Sequence, residues 1–212
     1  IATVTSLHHL ELPLTEAQAR SLRVGDQVRL YGEVVLCAGM TTHERLAALL
    51  DRGQAMPTNL HGGALLHLGS YSQENDGRFE VLYLNPTTST RFNAFMPRLI
   101  RELGLRITGG KGGLDAASVQ AMREAGCVYL SFLGGGCTLL SEAIREVVDV
   151  HWNDLVHHYR LVKLKVEGLG PATVGIDAHG NSLYGDLAET ARSRLPDILA
   201  KMAERRTSAG QE

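Results

Sequence analysis

The stretch Leu105-Arg-Ile-Thr-Gly-Gly-Lys-Gly-Gly113 decides the fold class, because a short apolar run enters a glycine-rich loop just before a helical segment. The helix is predicted over Asp115–Ala125, and the apolar run Cys127-Val-Tyr-Leu-Ser-Phe132 predicts a second buried strand after it. Strand, loop, helix and strand in this order indicate an α/β domain with a mixed sheet flanked by helices.

The same alternation extends outward along the chain. Thr15-Glu-Ala-Gln18 has the form of a capping box and predicts a short helix, and Asp76-Gly77 predicts a hairpin turn. The other predicted strands cover Gln27–Leu36, Ala64–Leu68, Phe79–Leu84, Tyr159–Val166 and Thr173–Asp177, and the other predicted helices Thr42–Arg52, Thr88–Leu103, Thr138–Val147 and Leu187–Glu204. We expect one domain over residues 1–204 and a frayed tail over residues 205–212, where periodicity is lost.

The charge balance argues against a surface made for nucleic acid or for an anionic membrane. Among 212 residues, 21 lysines and arginines stand against 23 acidic residues, for a formal net charge of -2. Apolar segments are interrupted well before the roughly 20 residues that cross a bilayer, and no basic-then-apolar signal segment opens the sequence. We therefore expect a cytoplasmic protein with neither nucleic-acid nor membrane partners.

The cysteine pattern gives no metal motif. The three cysteines Cys37, Cys127 and Cys137 are widely spaced, without a C-x-x-C pair, and the nine histidines form no H-E-x-x-H pattern. We expect reduced cysteines, no metal site and no iron–sulfur cluster held by this chain alone.

Two strand-to-helix loops carry the candidate chemistry. In Leu84-Asn-Pro-Thr-Thr-Ser-Thr-Arg91, the hydroxyls of Thr87, Thr88 and Ser89 and the free backbone N–H groups at a helix start predict a carboxylate or phosphate cradle, to which Arg91 adds a bidentate donor. In Thr108-Gly-Gly-Lys-Gly-Gly113, glycines let the backbone approach a ligand and Lys111 supplies a cation. Simple helix capping and a solvated lysine are the alternatives.

Other motifs are less specific. Gly134-Gly-Gly136 fits tight packing as well as it fits ligand binding, and Asp177-Ala-His-Gly-Asn181 offers acid–base groups but consists of turn-forming residues. The spacing of a Walker loop and the nucleophile elbow G-x-S-x-G are both missing from the sequence.

Five motifs in order give a specific resemblance. They are Pro86-Thr-Thr-Ser89 with Arg91, Gly110-Lys-Gly-Gly113, Gly126-Cys-Val-Tyr129, His151-Trp152 and Ile176-Asp-Ala-His-Gly-Asn181. From about Leu12 to Tyr184 the chain resembles the β subunits of tartrate dehydratases and the C-terminal domain of class I fumarases. The resemblance implies a swivelling β/β/α domain that closes over a separate α subunit carrying a [4Fe-4S] cluster, in a hetero-oligomer such as α2β2.

The resemblance also implies roles for single residues. A cluster iron acts as the Lewis acid on the hydroxyl that leaves as water, while a base removes a proton from the adjacent carbon. Thr87 is then the candidate proton-abstracting or proton-relaying group, and Thr88, Arg91 and Lys111 hold the carboxylate of a small hydroxy acid or dicarboxylate. A threonine hydroxyl needs a helper for this role, which the sequence does not identify.

One departure from the family pattern concerns the substrate. Where the family has an Arg-Asp pair before a histidine, in a pattern like A-R-D-x-x-H, this chain has Ala38-Gly-Met-Thr-Thr-His43. Loss of the arginine removes a partner for a carboxylate, so we expect an acid in which one carboxylate is replaced by a neutral or bulkier group. The alternatives are fumarate or tartrate with another cation in place of the arginine, and a non-catalytic binding or regulatory homologue.

Overall fold

The computed structural model describes residues 6–209, and the side chains of residues 6–206. The strands within this part of the chain are β1 Leu7–Glu11, β2 Gln27–Leu36, β3 Ala64–Leu66, β4 Leu68–Asn75, β5 Arg78–Pro86, β6 Ile107–Gly110, β7 Val128–Ser131, β8 Ile144–His151 and β9 Leu161–Ile176. The helices are α1 Glu16–Ser21, α2 Met40–Asp51, α3 Met96–Glu102, α4 Ala116–Ala125, α5 Cys137–Ser141 and α6 Leu183–Ala209. Short 3-10 turns cover Ser89–Phe92 and His157–Tyr159.

Five strands close into a barrel. The main sheet has the order β1-β2-β3-β6-β7-β9-β8, and β9 pairs a second time with β2, so that β2, β3, β6, β7 and β9 form a ring. Pairing is parallel from β2 to β7 and antiparallel on both sides of β9. The mixed α/β prediction is confirmed, but a simple sheet flanked by helices is wrong. The ring closes because β2 and β9 are long and carry register shifts that let them bend.

Alternation along the strands divides the apolar residues between two cores. Val34 and Leu36 of β2 belong to the cluster that contains the alternate residues of the other barrel strands, whereas Val35 and Cys37 face a second cluster with α2, α3 and α4. The helices therefore cover the outer side of the parallel strands, and the ends of those strands stay open to a ligand.

The local predictions hold at the helix start and the hairpin turn. Thr15 and Gln18 form both hydrogen bonds of a capping box at α1. Asp76 and Gly77 both have positive φ, 50° and 76°, in the turn that joins β4 to β5.

Two predicted helices and two predicted strands differ from the structure. The helix predicted over Thr88–Leu103 is a 3-10 turn followed by α3, which begins only at Met96 with Pro97 in its first turn. The helix predicted over Thr138–Val147 ends at Ser141, because the β-branched residues that follow pair with β9 as strand β8. The two last predicted strands are one continuous strand, β9.

The C-terminal helix is longer than predicted. It begins at Leu183 rather than Leu187 and continues past Glu204 to Ala209, so the segment expected to fray is helical over 205–209, while 210–212 lie outside the described residues. None of the described helices is long and apolar enough to span a bilayer. The single-domain boundary at residue 204 and the swivelling motion stay predictions.

Candidate active site

The two loops singled out in the sequence form one structure at the ends of β5 and β6. Thr88 and Lys111 pair as an isolated parallel bridge. The Lys111 amide donates to the Thr87 carbonyl at 3.0 Å, and the Ser89 amide donates to the Lys111 carbonyl at 2.8 Å. Because β5 itself pairs only with β4, these bonds fix the position of its end relative to the barrel.

Thr87, Arg91 and Lys111, here called the anion rim, line one cavity of about 330 Å³. The Arg91 guanidinium donates to Thr87 Oγ1 and, through Nε, to the Thr88 carbonyl at 3.5 Å. The Arg91 Cζ atom also lies 5.3 Å from the centre of the Phe92 ring. Within residues 6–206, neither cation of the rim forms an ion pair with a carboxylate. Both charges are therefore available to an anionic ligand.

Thr88 lies beside the anion rim rather than in it. Its backbone bridges to Lys111, and its Cγ2 atom would lie 3.4 Å from a Cβ added at Gly112, but its side chain does not line the cavity. Its predicted contact with substrate stays a prediction.

Two of the three backbone N–H groups in the predicted cradle, those of Thr87 and Ser89, are already paired. The Thr87 amide donates to the His67 carbonyl at 2.8 Å and the Ser89 amide donates to Lys111, so neither is free for a ligand. The turn that follows has only four residues, too short for a helix dipole to matter. The positive charges that line this cavity belong to the side chains of Arg91 and Lys111.

Below the anion rim lies a set of buried polar side chains, His43, His67, Ser89 and Tyr129, here called the buried layer. Ser89 Oγ lies 2.8 Å from His67 Nδ1 and 2.8 Å from the Tyr129 hydroxyl. The Gly113 amide donates to the same Tyr129 hydroxyl at 3.3 Å. The third hydroxyl of the Thr-Thr-Ser motif thus points inward and ties the strand ends together.

The buried layer is uncharged at neutral pH. Burial lowers the pKa of His43 to about 4, against a smaller opposing effect of the bond from His43 Nδ1 to the Gly39 carbonyl at 2.7 Å. Burial, with the nearby His43 and Arg91, lowers the pKa of His67 well below its usual value. Burial also raises the pKa of Tyr129, although Ser89 opposes this. Because both imidazoles beneath the rim are neutral, its positive charges are those of Arg91 and Lys111.

The His43 ring stacks on Phe92, the neighbour of Arg91, with centroids 3.9 Å apart and an interplanar angle of 9°. His67 Nε2 has no hydrogen-bond partner among the described residues, which is a costly state for a buried nitrogen. The sequence offered one signal for His67, since it is the single polar residue of the run Ala64–Leu68.

The remaining candidate motifs have structural roles. Asp177 is buried and accepts hydrogen bonds from the His179 amide at 2.9 Å, the Asn181 amide at 3.1 Å and Asn181 Nδ2 at 2.9 Å. These bonds hold the turn after β9 and leave no support for acid–base chemistry there. Gly134 lies close to the site, since a Cβ at this position would be 3.7 Å from Lys111 Cδ.

The described residues do not fit an iron–sulfur cluster. No three side chains of His, Cys, Asp or Glu converge among them, and Cys37 and Cys127 are buried in the core. Burial raises the pKa of the Cys127 thiol to about 12, and that of Cys37 further, whereas cluster ligation needs thiolates.

Comparison with known proteins identifies the family of this chain. The family model described as the fumarase C-terminus matches residues 3–187. The L(+)-tartrate dehydratase subunit beta of Escherichia coli (strain K12) is 29% identical over 195 residues, which cover 92% of this chain and 95% of that protein. A putative L(+)-tartrate dehydratase subunit beta of Methanocaldococcus jannaschii is 27% identical over 187 residues, covering 88% of this chain and 95% of that protein.

A putative fumarate hydratase class I of Geobacillus stearothermophilus is 32% identical over 187 residues, which cover 88% of this chain but 35% of that protein. The relatives are thus named either as separate β subunits or as a longer enzyme, and both names denote hydro-lyases. The resemblance carried by the five sequence motifs is confirmed, and the chain belongs to the fumarase C-terminus family.

Proposed function

We propose that this chain is the β subunit of an iron–sulfur-dependent hydro-lyase that reversibly dehydrates a hydroxy acid. The observation that carries the proposal is the anion rim, in which two cations without carboxylate partners meet at one cavity. Relatives named as subunit beta of a dehydratase match this chain along most of its length, which supports the same role here.

The rim suits the removal of a proton next to a carboxylate. Arg91 and Lys111 would hold the carboxylate oxygens with charge-assisted hydrogen bonds. When the adjacent carbon loses its proton, negative charge moves onto those oxygens, so both cations bind the transition state more strongly than the ground state.

Arg91 is the neighbour that Thr87 needs. Its guanidinium donates to Thr87 Oγ1, and a cation at this distance favours the form of the hydroxyl that has given up its proton. Thr87 would then hold or relay the proton, while Arg91 both positions its oxygen and binds substrate.

The [4Fe-4S] cluster belongs to an α subunit in this proposal, because the described residues of this chain do not supply its ligands. The chain would close over that subunit as the carboxylate-binding lid, in a hetero-oligomer such as α2β2. Catalysis would depend on the two subunits together.

Copurification with a candidate α subunit from the same organism tests the proposal. We expect a brown complex that dehydrates hydroxy acids, and we expect Arg91→Ala to lower kcat/KM about 100-fold or more without separating the subunits. Arg98→Ala is the matched control, because Arg98 is a half-buried arginine that pairs with Asp51 and Glu102 and does not line the cavity.

Two results would contradict the proposal. A colourless chain that binds no α subunit would favour a non-catalytic binding or regulatory homologue. An Arg91→Ala complex as active as the Arg98→Ala complex would remove the anion rim from catalysis.

A further inference from the structure

The cavity has two unlike sides. The anion rim forms the charged side, and the remaining lining residues are Ala38, Gly69, Tyr83, Asn85, Pro86, His158 and Tyr159. None of the ten described lining residues is acidic, and the two permanent charges both belong to the rim. A ligand in this cavity can therefore meet both cations and a set of aromatic rings, an amide and an imidazole.

Tyr159 on the uncharged side is held against the backbone at Gly39. A Cβ added at Gly39 would lie 2.6 Å from Tyr159 Cγ and 2.7 Å from Cδ1, which is closer than real carbon atoms approach. The Thr42 hydroxyl donates to the Tyr159 carbonyl, and the Tyr159 amide donates to the Val156 carbonyl at 2.8 Å. The ring thus occupies the space that any side chain at position 39 would need.

Among the described residues, no lysine or arginine other than Arg91 and Lys111 lines the cavity. The next residue, Arg160, donates from Nε to the Leu155 carbonyl at 3.2 Å and from its terminal nitrogen to the Asn153 carbonyl at 3.4 Å, and it does not line the cavity. Met40 is exposed and apolar. A second carboxylate placed on this side would lose water without meeting a permanent positive charge among the described lining residues, which is unfavourable.

We propose that Tyr159, held in place by Gly39, determines specificity and restricts the substrate to hydroxy acids with one carboxylate and an uncharged planar or apolar end. The inference rests on the proposed hydro-lyase function and deepens it. The carboxylate binds to Arg91 and Lys111, and the uncharged end packs against Tyr159 within reach of Asn85 and His158.

The test uses the complex with the α subunit and compares kcat/KM for malate with that for uncharged-end probes. The probes are the two monoamides of malate, which leave either carboxylate free, and 3-hydroxy-3-phenylpropanoate. We expect at least one probe to exceed malate by about tenfold or more, since one unpaired carboxylate costs at least this much.

Paired substitutions separate specificity from folding. Tyr159→Ala should lower the ratio of kcat/KM for the uncharged-end probes to kcat/KM for malate. Gly39→Arg combined with Tyr159→Ala should make malate the preferred substrate, because the arginine then fills the space that the Tyr159 ring has left. Gly39→Arg alone should lower Tm, since its side chain meets the Tyr159 ring. Tyr31→Ala, a tyrosine that bonds His9 and does not line the cavity, should leave the ratio of kcat/KM values unchanged.

The outcomes distinguish the two proposals. Wild-type complex that prefers malate, with a preference that Tyr159→Ala leaves unchanged, overturns the specificity inference and leaves the hydro-lyase function standing. Wild-type complex that turns over none of these acids overturns the function, and the inference falls with it.

Discussion

Gly110 and Lys111 are adjacent in sequence, yet they belong to two regions of opposite character. Lys111 points into the cavity as part of the anion rim, while Gly110 packs on the buried layer. The rim is charged and reaches solvent, whereas the buried layer is uncharged and closed to it. The comparison teaches that the rim can stay unpaired because the layer below fixes its backbone through Ser89 and His67.

If this division is correct, removing the charge at Lys111 should have the largest effect on activity and little effect on folding. We expect Lys111→Ala to lower kcat/KM of the complex about 100-fold or more, with a change in the free energy of unfolding within about 0.5 kcal/mol. Steady-state kinetics and urea unfolding measure the two quantities. Lys165→Ala, at an exposed lysine of β9, is the control and should change neither. A Lys111→Ala protein that loses stability instead would break the comparison.

The neighbouring Gly110→Ala substitution should have its main effect on the free energy of unfolding. A Cβ at this position would contact Ser89 Oγ and would lie 2.9 Å from the Thr87 carbonyl oxygen and 3.0 Å from His67 Cβ. Two of these atoms are held by hydrogen bonds and cannot move away cheaply, so we expect a loss of about 3 kcal/mol in the free energy of unfolding.

Gly185→Ala is the matched control for Gly110→Ala. A Cβ at Gly185 would meet only Ser182, at 3.8 Å, and the residue lies inside α6, where alanine is the better helix former. Thermal unfolding should show a lower Tm for Gly110→Ala and no decrease for Gly185→Ala. An unchanged Tm for Gly110→Ala would mean that the buried layer is not closely packed.

Much of the anion rim could be predicted from sequence because its signals are local. A run of hydroxyls with Arg91 after one strand and a lysine between glycines after another both mark strand ends, where ligands are bound. The sequence could not show which hydroxyl of Thr87-Thr88-Ser89 points inward. These residues are equivalent until the pairing of Thr88 with Lys111 fixes which of them faces the interior.

Contacts between distant parts of the chain could not be predicted either, because local sequence patterns do not show which segments meet. Closure of the barrel depends on β9 returning to β2, and the absence of a side chain at position 39 has a cause only when Tyr159 is seen against it. The departure at Gly39 was visible in sequence, but its partner was not.

Acid should lower the free energy of unfolding through the histidines of the buried layer. His43 binds a proton near pH 6.5 in the unfolded chain but only near pH 4 in the folded protein, so the unfolded state holds more protons between these values. The free energy of unfolding must therefore fall as the pH falls through this window. For His43 we expect a loss of about 2 kcal/mol between pH 6 and pH 4.5, and His67 acts in the same direction.

A variant isolates this contribution from that of the carboxylates. His43→Gln keeps a donor for the Gly39 carbonyl but cannot titrate, so the difference in unfolding free energy between wild type and variant should shrink as the pH falls. His61→Gln, at an exposed histidine outside the buried layer, is the control variant. Parallel curves for His43→Gln and wild type would show that His43 titrates normally in the folded protein.

The smallest expected effect is on the rates at which the three cysteine thiols react. Cys37 is buried against His43 with Sγ 3.4 Å from Nδ1, and Cys127 is buried beside Tyr129, whereas Cys137 is half-buried at the start of α5. Burial raises the pKa of both core thiols, and a thiol must lose its proton to react. Brief treatment with iodoacetamide at pH 8, followed by peptide mass spectrometry, should therefore label Cys137 first and leave Cys37 protected.

In Gly110→Ala, where the buried layer is disturbed, labelling of Cys37 should speed up while that of Cys137 stays the same. Equal rates at Cys37 in the two proteins would show that a change below the anion rim does not spread to α2.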